Sequence, residues 1–429
     1  MTTMPERATA PPPDVASGMT VYATSCDGNV VASLRASPED FQVEEVLNLG
    51  EVSTDRTREF TIPVYRVRKR GIDTPHAAAE LAESLRSNVN FAGMKDSKAA
   101  TTQYASARSG RAADPPFVRG SRFEAERVGY LRRPISRGMM VGNRFSIRVV
   151  TEEDISGRVS EVYSRCALRA VPNFFGYQRF GLRGMVNHRV GKAIIKRDFK
   201  GAVNLFLGEP RQGENGAASE ARLLAKEGRY SEAAARFSPR QDPERRLARH
   251  LAEKPGDYLG GLRRVPMTPR RLFVQAYQSY IFNLTMSASL EAGLEISKAE
   301  RGDNWAEVEA DGLGIGRAHG VREPLASEGT VALVQLVGYA FRDYASRFDG
   351  LIIRILKDEG VEPSQFYIKE AEEMSNEGTF RQAPLLVKDA AYAALGGGPT
   401  LSFTLGRGEY ATTLLREVLK PDDPLSAGF

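Results

Sequence analysis

Apolar and polar residues alternate along Phe41-Gln-Val-Glu-Glu-Val46. The pattern predicts a strand with Phe41, Val43 and Glu45 on one face and Gln42, Glu44 and Val46 on the other. A turn at Ser37-Pro38-Glu39-Asp40 separates it from an extended stretch that begins at Val31. Phe60 to Arg68 alternates as well, and Pro63, which has no N–H to give a ladder, places that strand at a sheet edge. The period changes from His76 to Leu85, where Ala and Leu recur on one helical face and Asp73 or Thr74 can cap the start. Val89 to Gly93, Thr102 to Arg108 and Phe145 to Val150 return to strand character. Strands separated by a helix and long excursions predict an α+β fold on a largely antiparallel, mixed sheet.

Beyond Val150 the pattern is mainly helical: Ser156 to Ala170, Asn187 to Leu207, Glu220 to Phe237, Arg270 to Glu291 and Pro363 to Glu373. Strands there are confined to the neighbourhood of Asp311 to Val337. Leu401 to Leu405 is strand-like again, and Tyr410 to Val418 reads as strand or strand-then-helix. A strand-rich start, a helical middle and a strand-like end predict a discontinuous domain, residues 19–172 with 387–429, interrupted by an insert at 173–386 whose return strands complete the first sheet. Met1 to Gly18, rich in Pro, Ala and Thr, reads as a disordered lead-in rather than a signal peptide. Glu209 to Gly216 reads as a surface loop and Gly396-Gly-Gly-Pro399 as a flexible join. No apolar run approaches the roughly 20 residues that span a bilayer, so the expected location is the cytoplasm.

Composition narrows the chemistry. Two cysteines, Cys26 and Cys166, and four scattered histidines supply neither a disulfide framework nor a zinc pattern. The formal charge of +5 is modest, but it is unevenly spread. Eight arginines lie between Arg119 and Arg148 against Glu124 and Glu126, and a second basic stretch runs from Arg236 to Arg271. Guanidinium forks suit phosphates; solvated surface is the other reading of such runs. Interleaved aromatics at 119–148 and 173–183 favour nucleic acid. Asp96 follows a strand and a glycine and stands between Lys95 and Lys98. Nearby cations keep a carboxylate ionised, which allows a nucleophile; the spacing equally allows a helix N-cap.

Five segments, in order, resemble the TruD family of tRNA pseudouridine synthases: Pro38-Glu-Asp-Phe-Gln-Val-Glu44; Ala92-Gly-Met-Lys-Asp-Ser-Lys-Ala99 with Thr102-Gln103; Gly142-Asn-Arg-Phe-Ser-Ile147; Val171-Pro-Asn-Phe-Phe-Gly-Tyr-Gln-Arg-Phe-Gly181; and Phe403-Thr-Leu-Gly-Arg-Gly-Glu-Tyr-Ala-Thr412 with Leu415-Arg-Glu417. The resemblance implies a pseudouridine synthase catalytic domain interrupted by a mainly helical insert. It implies Asp96 as catalytic aspartate and Arg35 as its basic partner, with Phe41, Asn143, Phe145 and Phe403 contacting substrate. Ser97 departs from the family, which more often has a basic residue there, and residues 205–270 match no motif.

Each residue also has an ordinary reading: Phe41 and Phe145 as core, Asn143 as a turn residue, Arg35 as surface, and the aromatics of 173–181 as packing at the domain junction. The implied reaction isomerises a uridine of tRNA, usually uridine 13 of the D-arm. It has no redox change and no group donor, so no cofactor or metal is expected. The expected partner is tRNA, with the protein a monomer. A non-catalytic RNA-binding protein or RNA chaperone on the same fold is the alternative from another class.

Overall fold

The structure, a computed structural model, describes residues 10–25, 28–95, 97–107, 114–182, 184–323, 329–395 and 398–429. Its strands in chain order are β1 (Phe41–Leu47), β2 (Ile62–Lys69), β3 (Val89–Phe91), β4 (Ala100–Ala107), β5 (Phe117–Arg119), β6 (Phe123–Leu131), β7 (Met140–Arg148), β8 (Asn304–Val308), β9 (Ile315–His319), β10 (Thr330–Leu336), β11 (Thr379–Gln382), β12 (Val387–Leu395) and β13 (Gly398–Gly406). Nine of them form one sheet, ordered β12-β13-β7-β1-β4-β2-β6-β5 with β3 on β4; four form a second, β11-β10-β8-β9. The pairings are antiparallel except β1 with β4, so the fold is α+β on a mixed sheet. The returning strands β12 and β13 join the large sheet through β7.

The chain leaves and re-enters the large-sheet unit at adjacent points. Pro172 bridges Pro384, Asn173 N–H donates to Ala383 O at 2.8 Å, and Leu385 N–H donates to Val171 O at 2.8 Å. One apolar cluster runs across this junction, from Phe41, Phe145 and Phe403 through Phe174, Phe175, Tyr177 and Phe180 to Phe282. The aromatics of 173–181 therefore pack the junction.

Several local expectations are corrected. Strand β2 is interior, between β4 and β6. Pro63 is tolerated because β4 pairing begins only at Val64, so its missing N–H faces no partner strand. Asn187 to Leu207 is two helices, Asn187–Ile195 and Phe199–Gly208; Arg197 turns left-handed (φ 60°) and Asp198 caps the second by accepting the Gly201 N–H. Glu220 to Phe237 likewise divides into Gly216–Lys226 and Tyr230–Arg236, with Gly228 at φ +77° between them. Pro363 to Glu373 makes two short 3-10 turns. Gly398 and Pro399 open β13 opposite Leu395 and Ala394, so the expected join is a β12–β13 hairpin; Gly396 and Gly397 lie outside the described residues.

The lead-in is ordered from residue 10 onward, and 1–9 lie outside the described residues. Pro12–Ala16 is a short helix whose Asp14 is fully buried, accepting Arg416 Nε at 2.5 Å and the Tyr177 hydroxyl. A Pro/Ala-rich composition conceals such order, because one buried ion pair rather than an apolar stripe anchors the segment.

Candidate active site

The floor of the site follows from strand alternation. Antiparallel β1 and β7 place Val43 opposite Phe145, and β13 places Phe403 opposite Phe145 on the other side. Phe41 meets Phe145 edge-on (centroids 6.2 Å, 79°), and Phe145 stacks on Phe403 (5.4 Å, 29°). A cleft of about 380 Å³ opens above, lined by Arg35, Phe41, Val43, Asn143, Phe145 and Gln178 among others. The Arg35 guanidinium lies 4.2 Å from the centre of the Phe41 ring, a cation–π placement. Phe403, expected to contact substrate, is 0% exposed and does not line the cleft. It packs against Phe145 from the neighbouring strand.

Asn143 is not a turn residue. It sits within β7, between Glu45 and Leu405 in register. Its Oδ1 is buried, and among the described residues it has no hydrogen-bond partner. An unmet buried acceptor costs about 1–3 kcal/mol, and its place in the cleft makes this oxygen a candidate acceptor for a ligand donor.

Asp96 lies outside the described residues, but its surroundings are defined. Gly93, Met94, Lys95, Ala99 and Thr101 line the cleft, while Ser97 and Lys98 line an adjoining groove of about 1190 Å³ that shares Arg35 and Gln178 with it. The chain after Lys98 enters strand β4 rather than a helix, so the N-cap reading of this position has no helix to cap. The backbone ahead of Asp96 is held by side chains. Thr74 Oγ1 accepts the Lys95 N–H (2.9 Å), Gln103 Nε2 donates to Gly93 O (3.3 Å), and Lys69 Nζ donates to Lys95 O (3.2 Å). Thr74 is thereby a strut, and Asp73 is the cap of helix Thr74–Leu85, accepting the His76 N–H.

The Lys95 ammonium is 3.2 Å from Glu45 Oε1, with both side chains nearly excluded from solvent (8% and 0% exposed). Glu45 Oε2 also accepts the Tyr104 N–H (3.3 Å). Gly93 leaves room for this pair: a Cβ would stand 2.8 Å from Glu45 Oε1 and displace it. Lys95 is thus committed to Glu45, and Lys98 is exposed on the groove.

Comparison with known proteins agrees with this geometry. The family model for tRNA pseudouridine synthase D (TruD) matches residues 16–418. The chain belongs to the TruD family. It is 34% identical to a protein of Pyrobaculum neutrophilum named probable tRNA pseudouridine synthase D, over 98% of this chain and 99% of that one. A Methanosarcina acetivorans protein of the same name is 33% identical over 94% and 96%. A crystal structure from Methanosarcina mazei, named for tRNA pseudouridine synthase D, superposes with a TM-score of 0.79 at 30% identity, covering 97% of this chain and 99% of that one. The protein is accordingly a tRNA pseudouridine synthase, an enzyme of the isomerase class.

Two features of this TruD-family chain escape sequence reasoning. Glu409 lines the cleft wall ahead of Tyr410, Ala411 and Thr412. Its carboxylate accepts the N–H groups of Gly406 (2.8 Å) and Leu386 (2.8 Å) and Gln382 Nε2 (3.3 Å). Burial raises its pKa to about 7, against those hydrogen bonds and the charge of Arg381. Burial also lowers Arg381 to about 10; its guanidinium donates to Asn173 O (3.0 Å) and Gly408 O (3.0 Å) and covers the Phe175 ring at 4.1 Å. Together these groups tie β11 and the re-entry strand to the cleft wall.

The second feature concerns the basic runs. Arg119, Arg127, Arg132, Arg144 and Arg148 pair with Glu124, Asp114, Glu51, Glu44 and Asp40, and Arg122 donates to Gly71 O. In the later run Arg263 and Arg270 share Glu373, Arg271 bonds its carbonyl, Arg245 and Arg246 share Asp242, and Arg236 pairs with Glu220. Most of the expected phosphate-binding charge is thus spent within the protein. Among the described residues no group of three or more His, Cys, Asp or Glu is arranged to hold a metal, and no helix is long and apolar enough to cross a membrane.

Proposed function

We propose that the enzyme isomerises one uridine of the tRNA D-arm, uridine 13, with Asp96 as nucleophile and no cofactor, and that residues 19–172 with 387–429 form the catalytic domain around an insert at 173–386. The observation that carries the reading is one cleft in which an unpartnered Asn143 oxygen, the Phe41–Phe145 floor and Arg35 meet the segment that contains Asp96.

Its volume of about 380 Å³ suits a single extruded nucleotide. Extrusion costs a few kcal/mol, and contact with aromatic side chains returns about 1–3 kcal/mol per base. Asn143 Oδ1 needs a donor; the uracil N3–H or a ribose hydroxyl supplies one. In this reading Arg35, packed on Phe41, is the cation that keeps the Asp96 carboxylate ionised. Asp96 then attacks C1′ or C6, or takes a sugar proton on a glycal route. In each case the N1–C1′ bond breaks, C5 bonds C1′, the C5 proton leaves and N1 is protonated.

Asp96→Asn tests this directly. Tritium release from 5-labelled uridine in a tRNA transcript should fall to background while RNA affinity stays within a few-fold. Near-normal release would refute the assignment.

A further inference from the structure

The six engaged arginines of the 119–148 run leave two, Arg133 and Arg137, with exposed side chains in no ion pair or hydrogen bond among the described residues. Arg407 is a third such residue, distant in sequence, in the turn after β13. The backbone of two of the three lies at one end of the cleft. The Met140 N–H closes a turn onto Arg137 O, and Met140 lines the cleft. Arg407 N–H donates to Val141 O at 2.9 Å, and the lining run Glu409 to Thr412 begins two residues later. Arg137 and Arg407 therefore emerge from neighbouring backbone at the start of β7.

The other end of the cleft opens through Arg35 and Gln178 into the large groove. Strand β1 connects the ends, from Phe41 opposite Ile147 to Leu47 opposite Met140. At about 3.4 Å per residue that is roughly 20 Å. A strand with one base in the cleft whose backbone continues along β1 passes the far rim. Among the described residues no acid satisfies the guanidinium forks there, and phosphate is the bidentate ligand they fit.

We infer that Arg137 and Arg407 form a phosphate clamp at the Met140 end of the cleft, gripping the substrate strand's backbone next to the extruded nucleotide. The inference rests on the proposed RNA reaction for the occupant of the cleft. Both residues act on binding rather than on the reacting atoms.

The test uses the full chain, an unmodified tRNA transcript and affinity measured across a salt series. Arg137→Ala and Arg407→Ala should each weaken binding about 3- to 10-fold at low salt and lower the slope of log affinity against log salt by about 0.7–0.9. Lysine at either position should restore most of the slope. Arg119→Ala, whose guanidinium already bonds Glu124, is the control and should leave the slope unchanged. Single-turnover tritium release at saturating RNA should stay within about 3-fold for both alanine variants. An R137A/R407A variant with wild-type slope and an unchanged melting temperature overturns the clamp. Wild-type protein that binds the transcript with a steep salt slope yet releases no tritium refutes the reaction instead, and the clamp is still judged by its slopes.

Discussion

The buried Glu45–Lys95 pair gives the sharpest measurable consequence of this architecture. Glu45 is wholly enclosed, and Lys95 has 8% of its side chain exposed. Glu45→Gln keeps the shape and removes the charge, leaving the ammonium in a poorly solvated wall. Breaking such a pair from one side costs about 3–5 kcal/mol. The glutamine carbonyl can still accept one of the two donors, Lys95 Nζ or the Tyr104 N–H, which moves the expected loss to about 2–4 kcal/mol. For a unit of this size the shift is roughly 5–15 °C in melting temperature. Lys95→Met should cost a similar amount. The double variant, uncharged on both sides, should recover much of the loss, with a coupling of about 2–4 kcal/mol. Urea unfolding followed by far-ultraviolet circular dichroism measures it. The single tryptophan, Trp305, lies in the small sheet but within the apolar cluster shared with the large one, so its fluorescence should report the same transition. Single variants within 0.5 kcal/mol of wild type, or a strictly additive double variant, would refute the reasoning.

Glu409 predicts a pH signature. Its pKa of about 7 lies above the unfolded value, so between about pH 4.5 and 7 the folded state holds a proton that the unfolded chain has lost, and stability falls by up to about 3 kcal/mol as pH rises through that window. Glu409→Gln should remove that part of the slope in melting temperature from pH 5 to 8; parallel curves would exclude it. Asn143→Ala should lower kcat/KM about 10- to 100-fold without lowering the melting temperature, because it deletes an unmet acceptor; early melting would make Asn143 structural. Phe403→Ala should cost about 3–5 kcal/mol, seen as a large drop in melting temperature, and a soluble variant with native stability would contradict its role as the backing of Phe145.

The parts of the fold legible in the sequence are those where one local rule acts alone. Alternation located β1, β4 and the core of β7, and the capping aspartate before His76 was readable because Asp73 needs only its own helix. The errors arose where a partner distant in sequence decides the outcome. Pro63 reads as an edge residue until β4 is seen to begin its pairing one residue later. Asp14 reads as part of a disordered lead-in until Arg416, about 400 positions away, is buried against it. Arg197 gives no signal that the helix breaks, since its left-handed turn is set by the packing on either side. Of the site, Arg35, Phe41, Asn143 and Phe145 are gathered in one cleft, but Phe403 is buried beside it on the next strand. Glu45 carried no distinguishing pattern, Thr74 read only as a possible cap, and Gln178 and Glu409 stood within family-like segments without a role of their own.

The charge around Asp96 shows why position in sequence misleads about electrostatics. The sequence flanks that carboxylate with Lys95 and Lys98 and suggests that both lower its pKa. In the fold Lys95 is neutralised by Glu45 in a wall nearly closed to water, and Lys98 is directed to solvent along the groove, where screening is strongest. Arg35, distant in sequence, is the cation that lines both cleft and groove, and its guanidinium packs on Phe41. The same logic applies to the arginine-rich runs. A guanidinium already satisfied by a carboxylate contributes little to phosphate binding, so RNA affinity should depend on the few arginines that fold against no acid rather than on their total number.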